Sequence, residues 1–221
     1  YGCQYLLRHL KLSKFRENPK WYIGYSDNTV INSYLLKNGF ASIHGQTIKT
    51  ASFGVSEEGY ENIFKILEGK NLKYSLEKHH FNKKGVVEGE LIGGNLALIY
   101  ALLGTNYSYQ FKDKILFIED IGENFYALDR MLMSLDLARV FRKIKGLIIG
   151  GMTNMGKEKE NKNYEKPFDE FAYEIIVQRL KNYNFPTLFG FPNGHIFDNR
   201  PLIIGGKVKI EVGENGLVKF K

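Results

Sequence analysis

Apolar positions along this chain follow two rhythms, short unbroken runs and helical stripes, and the two alternate from one end to the other. The strongest runs, Ile115–Ile118 and Leu147–Ile149, are β-prone and uninterrupted by polar residues, as strands buried on both faces require. Trp21–Gly24, Phe40–His44, Val86–Glu90 and Thr187–Phe189 predict further short strands. Leu202–Ile204 and Lys207–Val212 predict two more near the end, with Gly205-Gly206 as a hairpin turn between them. Helical stripes occupy Asn28–Lys37, stopped by Asn38-Gly39, and Glu57–Leu67, stopped by Gly69. Leu96–Leu103, opened by Gly93-Gly94-Asn95, is a third, followed by Asn124–Arg142 and Phe168–Asn182. In Asn124–Arg142 the apolar face is Leu128, Met131, Leu132, Leu135 and Leu137. Gln4–Leu10 reads as a helix end and Lys11–Lys20 as a polar linker. The stretch through His79 and His80 reads as polar, and Met155–Pro167 as a charged, mobile loop. Strands alternating with helices predict an α/β or α+β protein.

Composition narrows this little. With 221 residues the chain can bury a substantial core as one large domain or two small ones. No apolar run approaches the roughly 18 residues that cross a bilayer, so no membrane role is expected. The single cysteine, Cys3, excludes an internal disulfide and a multi-cysteine metal site, and fits a reducing compartment. The net charge of +7 raises the question of nucleic acid. However, only seven of the 31 cations are arginine, and the lysines are scattered. Lys83-Lys84 and the half-acidic Lys157-Glu158-Lys159-Glu160 are the densest groups, and they read as solvated surface with a mild attraction for anions. The adjacent His79-His80 has no carboxylate or cysteine cluster at ligand spacing, so no metal is expected.

The most informative local feature is Ile23-Gly24-Tyr25-Ser26-Asp27-Asn28, at a predicted strand-to-helix junction. A serine on so tight a turn projects its hydroxyl outward, while N–H groups at the helix start point into the same space. A tetrahedral oxyanion needs donors there. Gly24 allows close backbone approach. The fuller elbow motif has a second glycine where this chain has Asn28. Taken alone, the hexapeptide reads first as a helix cap through Ser26 or Asp27.

Further blocks appear in order along the chain. Tyr1-Gly2-Cys3 precedes Leu6-Leu7, and Ile43-His44-Gly45 follows the serine turn. Next come Glu88-Gly89 with Leu91-Ile92-Gly93-Gly94-Asn95-Leu96, then Ile118-Glu119-Asp120-Ile121-Gly122-Glu123 with Asp129-Arg130. Gly190-Phe191-Pro192-Asn193-Gly194-His195 closes the set. Together these resemble the LD-carboxypeptidases (muramoyltetrapeptide carboxypeptidases), a serine peptidase family that also includes microcin-immunity-type peptidases.

The resemblance implies Ser26 as nucleophile, His195 as general base and Glu119 as the carboxylate that orients His195. A serine hydroxyl is a poor nucleophile until an imidazole takes its proton, and a buried carboxylate enforces the right tautomer. Glu119 stands at the end of an apolar strand, and His195 follows a flexible Asn193-Gly194 turn. Asp27 is expected to offer its backbone N–H to the oxyanion, and Asn95, at a helix start, to shape the site. His44 is expected to be structural or site-lining, and His9, His79 and His80 to be surface residues. Asp120 and Glu123 receive no catalytic role.

The implied fold is an incomplete Rossmann-like part bearing the nucleophile, residues 1–70, followed by a β-rich C-terminal α/β domain, residues 71–221, carrying Glu119 and His195. The implied reaction releases terminal D-alanine from murein tetrapeptide, in cytoplasmic cell-wall recycling, by a homodimer that needs no cofactor and binds no nucleic acid. An N-terminal α/β segment seen in the family, whose Arg-Gly-Gly turn supplies a second oxyanion donor, is expected to be missing, so the chain alone is read as a fragment. Two alternatives stand beside this. Immunity-type members cleave peptide–nucleotide conjugates, but carry a longer aromatic insertion. Here Gly93 lies 47 positions after Gln46, and Trp21 is the only tryptophan. The other alternative is a catalytically dead muropeptide-binding fragment.

Overall fold

The two rhythms of the sequence become a mixed sheet with helices packed on it. The computed structural model describes residues 2–51, 56–156 and 167–221, and the elements below are those of the described residues. The chain opens with helices α1 (Cys3–Leu6) and α2 (Ser13–Glu17), then a 3-10 turn, Ser26–Asn28, leads into α3 (Thr29–Lys37). Strand β1 (Ser42–His44), helices α4 (Ile48–Ala51) and α5 (Glu57–Leu67), and strands β2 (Lys73–Leu76) and β3 (Gly85–Asn95) follow. Then come α6 (Leu96–Leu102), β4 (Ile115–Ile121), α7 (Phe125–Leu137), β5 (Gly146–Thr153), α8 (Glu170–Leu180) and β6 (Thr187–Leu188). Strands β7 (Leu202–Ile204), β8 (Lys207–Val212) and β9 (Gly216–Phe220) end the chain.

One sheet runs β2-β9-β8-β3-β4-β5-β6, and β1 pairs separately with β7. The long strand β3 joins two regimes. Gly85–Glu90 pair antiparallel with β8, whereas Leu91–Asn95 pair parallel with β4. Burial follows the pairing: the first half is partly or fully exposed, and Leu91–Asn95 are all buried. The parallel strands β4 and β5 are covered almost without a break, which is why their sequences are continuous apolar runs. Helices α6, α7 and α8 contribute Leu96, Ile99, Leu128, Leu132, Leu135 and Ile176 to the same core.

Local signals explain several boundaries. In α5 the Ser56 hydroxyl accepts from the Gly59 N–H at 3.2 Å, Glu57 and Glu58 fill the first turn, and Gly69 at φ 73° ends the run. Elsewhere the expectations need correction. Gly93-Gly94 lie in β3 rather than opening a helix, because the strand must run on to reach β4. A Cβ on Gly93 would sit 1.9 Å from the Phe117 carbonyl oxygen. Gly205-Gly206 is no hairpin turn: β7 turns to β1 and β8 to β3, while Gly205 and Gly206 bond to Leu91. The hairpin is β8–β9, whose last strand, like the edge strand β2, the polar pattern concealed. Trp21–Gly24 makes only the Ile23–Ile43 bridge. The expected linker Lys11–Lys20 holds α2, where Phe15 packs edge-on against Phe40 at 4.9 Å. Leu137 is exposed at the end of α7, outside its buried stripe. Most of the expected loop Met155–Pro167, including Lys157-Glu158-Lys159-Glu160, lies outside the described residues. No helix of the described residues is long and apolar enough to cross a membrane.

Candidate active site

The serine turn is built by its neighbours. Ile23 and Gly24 run beside β1, the Gly24 N–H donating to the Ile43 carbonyl at 2.9 Å, and the chain then reverses into α3. Ser26 takes φ 60°, a left-handed conformation costing a non-glycine residue about 1–3 kcal/mol. Two asparagines of the following turns hold it there. The Asn32 amide donates to the buried Gly24 carbonyl at 3.1 Å, and the Asn28 amide to the Tyr25 carbonyl at 3.1 Å. Tyr22 donates its hydroxyl to Asn28 in turn. Asn28 is also why residue 24 must be glycine: a Cβ there would lie 2.7 Å from the Asn28 side-chain carbon.

Glu119 is fully buried near the end of β4, beside a register shift between Ile118 and Asp120 where β4 meets β5. His195 comes from the segment after β6. That segment is anchored rather than flexible as expected: Asn193 is fully buried and its amide donates to the His44 and Arg200 carbonyls at 3.2 and 2.6 Å. Its carbonyl accepts from the Gly151 N–H of β5. Gly194, at φ 123°, leaves room for the acid, since a Cβ there would meet Glu119 Oε2 at 2.7 Å.

These anchors bring together residues 93 and 76 positions apart. His195 Nδ1 lies 2.9 Å from Glu119 Oε2, and His195 Nε2 lies 2.9 Å from Ser26 Oγ. An ionised carboxylate only accepts, so the ring proton belongs on Nδ1 and Nε2 is left to accept from the serine. Burial works against a charge on Glu119, but His195, by charge and hydrogen bond, holds its carboxyl below the usual range. Burial likewise opposes a charge on His195, and Glu119, with help from Asp120, outweighs it and raises the imidazole. The arrangement can withdraw a proton from a serine hydroxyl and hold it as an imidazolium.

Of the other expected residues, Asp27 follows Ser26 at the start of the helical turn, and its carboxylate accepts from the Cys3 N–H at 2.8 Å. Asn95 is buried and works internally: its oxygen accepts from the Leu98 N–H, capping α6, and its amide donates to Asp120 at 2.9 Å. His44 is fully buried between the rings of Phe117 and Tyr25, and burial pushes it down to about 4, so it stays neutral. Among the expected surface histidines, His9 and His80 are exposed, His80 pairing with Glu170 at 2.6 Å, but His79 is half-buried and stacks on Phe189. Sequence reasoning passed over Tyr25, whose ring lies 5.1 Å from His195, although it stands within the serine motif. It also passed over Thr29 and gave Asp120 no catalytic role; both are buried. No cluster of three or more His, Cys, Asp or Glu residues suited to a metal ion occurs among the described residues.

Comparison with known proteins places this chain in a family. Residues 1–45 match the LD-carboxypeptidase N-terminal domain, and residues 88–210 the LD-carboxypeptidase C-terminal domain. A Bacillus subtilis protein named as a probable murein peptide carboxypeptidase is 28% identical over 99% of this chain and 68% of its own length. The microcin C7 self-immunity protein MccF of Escherichia coli is 27% identical over 93% of this chain and 67% of its own. The crystal structure of muramoyltetrapeptide carboxypeptidase from Oxalobacter formigenes superposes with a TM-score of 0.83 at 26% identity, covering 98% of this chain and 73% of that one. The chain thus spans about two thirds of the length of these curated relatives. With its two parts matched in order and the mixed sheet shared, the chain belongs to the LD-carboxypeptidase family of peptidases.

Proposed function

We propose that Ser26, His195 and Glu119 form the catalytic triad of a serine carboxypeptidase that releases terminal D-alanine from murein tetrapeptide. The observation that carries this reading is the unbroken path of two 2.9 Å contacts from Glu119 through His195 to a serine held at φ 60°. The names of the relatives, murein peptide and muramoyltetrapeptide carboxypeptidase, support the substrate.

Ser26 Oγ attacks the carbonyl before the terminal D-residue as His195 Nε2 takes its proton. The oxyanion forms beside the start of the helical turn, where the Asp27 backbone N–H is the donor we assign. Collapse breaks the amide bond, His195 returns the proton to the leaving amine, and D-alanine departs. Water, deprotonated by His195, then attacks the acyl-Ser26 ester, the bond to Oγ breaks as His195 returns the proton to Ser26, and the shortened peptide leaves with a new carboxyl end. Glu119 orients the ring and balances the imidazolium throughout. The split at residues 70/71 puts the nucleophile in one part and its acid and base in the other. On the family resemblance we also assign the protein to cytoplasmic cell-wall recycling as a homodimer.

The test is D-alanine release from murein tetrapeptide by the full-length gene product and its Ser26→Ala variant. Release that falls by about 10⁴-fold or more with Ser26→Ala is the expected result. No release by the wild-type protein, with cleavage of a peptide–nucleotide conjugate instead, would move the substrate to the class that MccF represents. Muropeptide binding without hydrolysis would leave a binding protein.

A further inference from the structure

A nucleophile and an acid on separate elements need something to set their distance. Ser26 precedes α3, Glu119 is in β4, and β3 lies beside β4 with Asn95 in register with Glu119. Thr29, the first residue of α3 and one turn on from Ser26, is fully buried, and its Oγ1 accepts from the Asn95 N–H at 2.9 Å. The Asn95 amide donates to Asp120 Oδ1 at 2.9 Å, and Asp120 directly follows Glu119. Asp120 is itself buried, with both oxygens engaged: Oδ1 also accepts from the Ile121 N–H at 2.8 Å, and Oδ2 from the Ala97 N–H at 3.0 Å. The approach of α3 to β3 is as close as chemistry allows, since a Cβ on Gly94 would lie 2.4 Å from Thr29 Oγ1.

We propose that this buried chain, Thr29–Asn95–Asp120, is a positioning device that fixes the nucleophile's turn against the acid's strand, and so governs turnover without touching substrate. It rests on the triad reading above. The carboxylate also serves stability, since it takes the Ala97 N–H that the Asn95 cap leaves open at the start of α6, so turnover measured in folded variants is what separates positioning from stability. What the carboxylate uniquely does is accept three N–H donors at once, tying β3, α6 and β4 together next to Glu119. An asparagine there would turn a donor toward a donor. Misplacement of reacting groups by about 1 Å can cost on the order of 10² in rate, so a hydrogen-bonded spacer one residue from the acid is suited to control it.

The experiment compares kcat and KM for D-alanine release by full-length wild type, Thr29→Val, Thr29→Ser, Asp120→Asn and Ser26→Ala, at a temperature where circular dichroism shows each variant folded. Thr29→Val keeps shape and loses the acceptor; Thr29→Ser keeps the acceptor. The expected result is a fall in kcat of about 10–100-fold for Thr29→Val, with KM within about 2-fold and Thr29→Ser near wild type. Asp120→Asn should lose at least as much as Thr29→Val, since it also removes a charge that raises His195, and adding Thr29→Val to it should cost little more, because one chain is broken once. Should Thr29→Val fail to accumulate, Thr29→Ala set beside Thr29→Ser carries the same prediction. Wild-type kcat in folded Thr29→Val, or equal loss in Thr29→Ser, would overturn the proposal while an inactive Ser26→Ala left the triad standing. An active Ser26→Ala would overturn both.

Discussion

Exchanging Glu119 for glutamine separates the work of its charge from that of its shape. The residue is fully buried, and Oε2 lies 2.9 Å from His195 Nδ1. A glutamine of the same outline offers one acceptor and one donor. With its NH2 group toward Nδ1, the ring proton moves to Nε2, and the imidazole then donates to Ser26 instead of accepting. That tautomer is no base, and the loss should reach about 10⁴-fold in kcat, roughly 5.5 kcal/mol. With the amide oxygen toward Nδ1 the tautomer survives, but the imidazolium forms without its counter-charge, and about 10²–10³-fold is lost. The pH profile carries a second prediction. In the native site burial lowers His195 while Glu119 and Asp120 raise it, with a net rise above 6.5. The neutral base is lost as pH falls through that raised value, so the acidic limb of kcat/KM should sit above pH 6.5. In Glu119→Gln burial remains and its chief opponent is gone, so the limb should move to lower pH. The assay is steady-state release of D-alanine between about pH 5 and 9, with thermal unfolding as the control for folding. A variant within about 10-fold of wild-type kcat, or one whose limb stays in place, refutes the reasoning.

Two further outcomes follow from buried groups. Gly93→Ala would place a Cβ 1.9 Å from the Phe117 carbonyl oxygen in a backbone at φ 133°, so β3 and β4 must part. A loss of about 4 kcal/mol or more is expected in urea unfolding, and a change under about 1 kcal/mol would count against the described pairing. His44, pushed from 6.5 to about 4 by burial, binds its proton more weakly folded than unfolded. Its influence is therefore absent above pH 6.5 and destabilises increasingly as pH falls toward about 4, by up to roughly 3 kcal/mol. His195 acts in the opposite sense, its contribution being present below pH 6.5 and lost as pH rises through its raised value. Comparing unfolding free energies of wild type and His44→Phe across this range isolates the His44 part. A wild-type minus variant difference that stays flat below pH 6.5 would be evidence against a buried neutral imidazole.

Much of the fold was legible in the residues themselves. Glu57–Leu67 carries its own stripe and stop, and the structure forms the helix at those bounds. Ile115–Ile118 and Leu147–Ile149 are strands because unbroken β-prone runs have no other way to bury both faces. Ser26, Glu119 and His195 were named from ordered blocks spread over most of the chain, each of which alone is weak. What could not be read is whatever depends on a partner far along the chain. Gly205-Gly206 has the residues of a hairpin, and only the competition of β1 and β3 for its flanking strands rules one out. Gly93-Gly94 looks like a break until Phe117 and Thr29 approach within the space of a Cβ. β2 and β9 are half polar because they lie toward one side of the sheet with a face in water, so their pattern was faint.

The sequence by itself therefore determined the alternation of elements and the positions of the main helices and buried strands, and through its family resemblance it pointed to Ser26, Glu119 and His195 as the candidate triad. The tertiary structure alone decided that these side chains meet at 2.9 Å, that His44 is a buried neutral neighbour rather than a lining group, and that Thr29, Asn95 and Asp120 form one bonded chain. The reason is physical. Local periodicity and capping are settled within a turn or two of backbone, whereas distances between remote side chains are set by which surfaces pack together, a free-energy balance summed over the whole core.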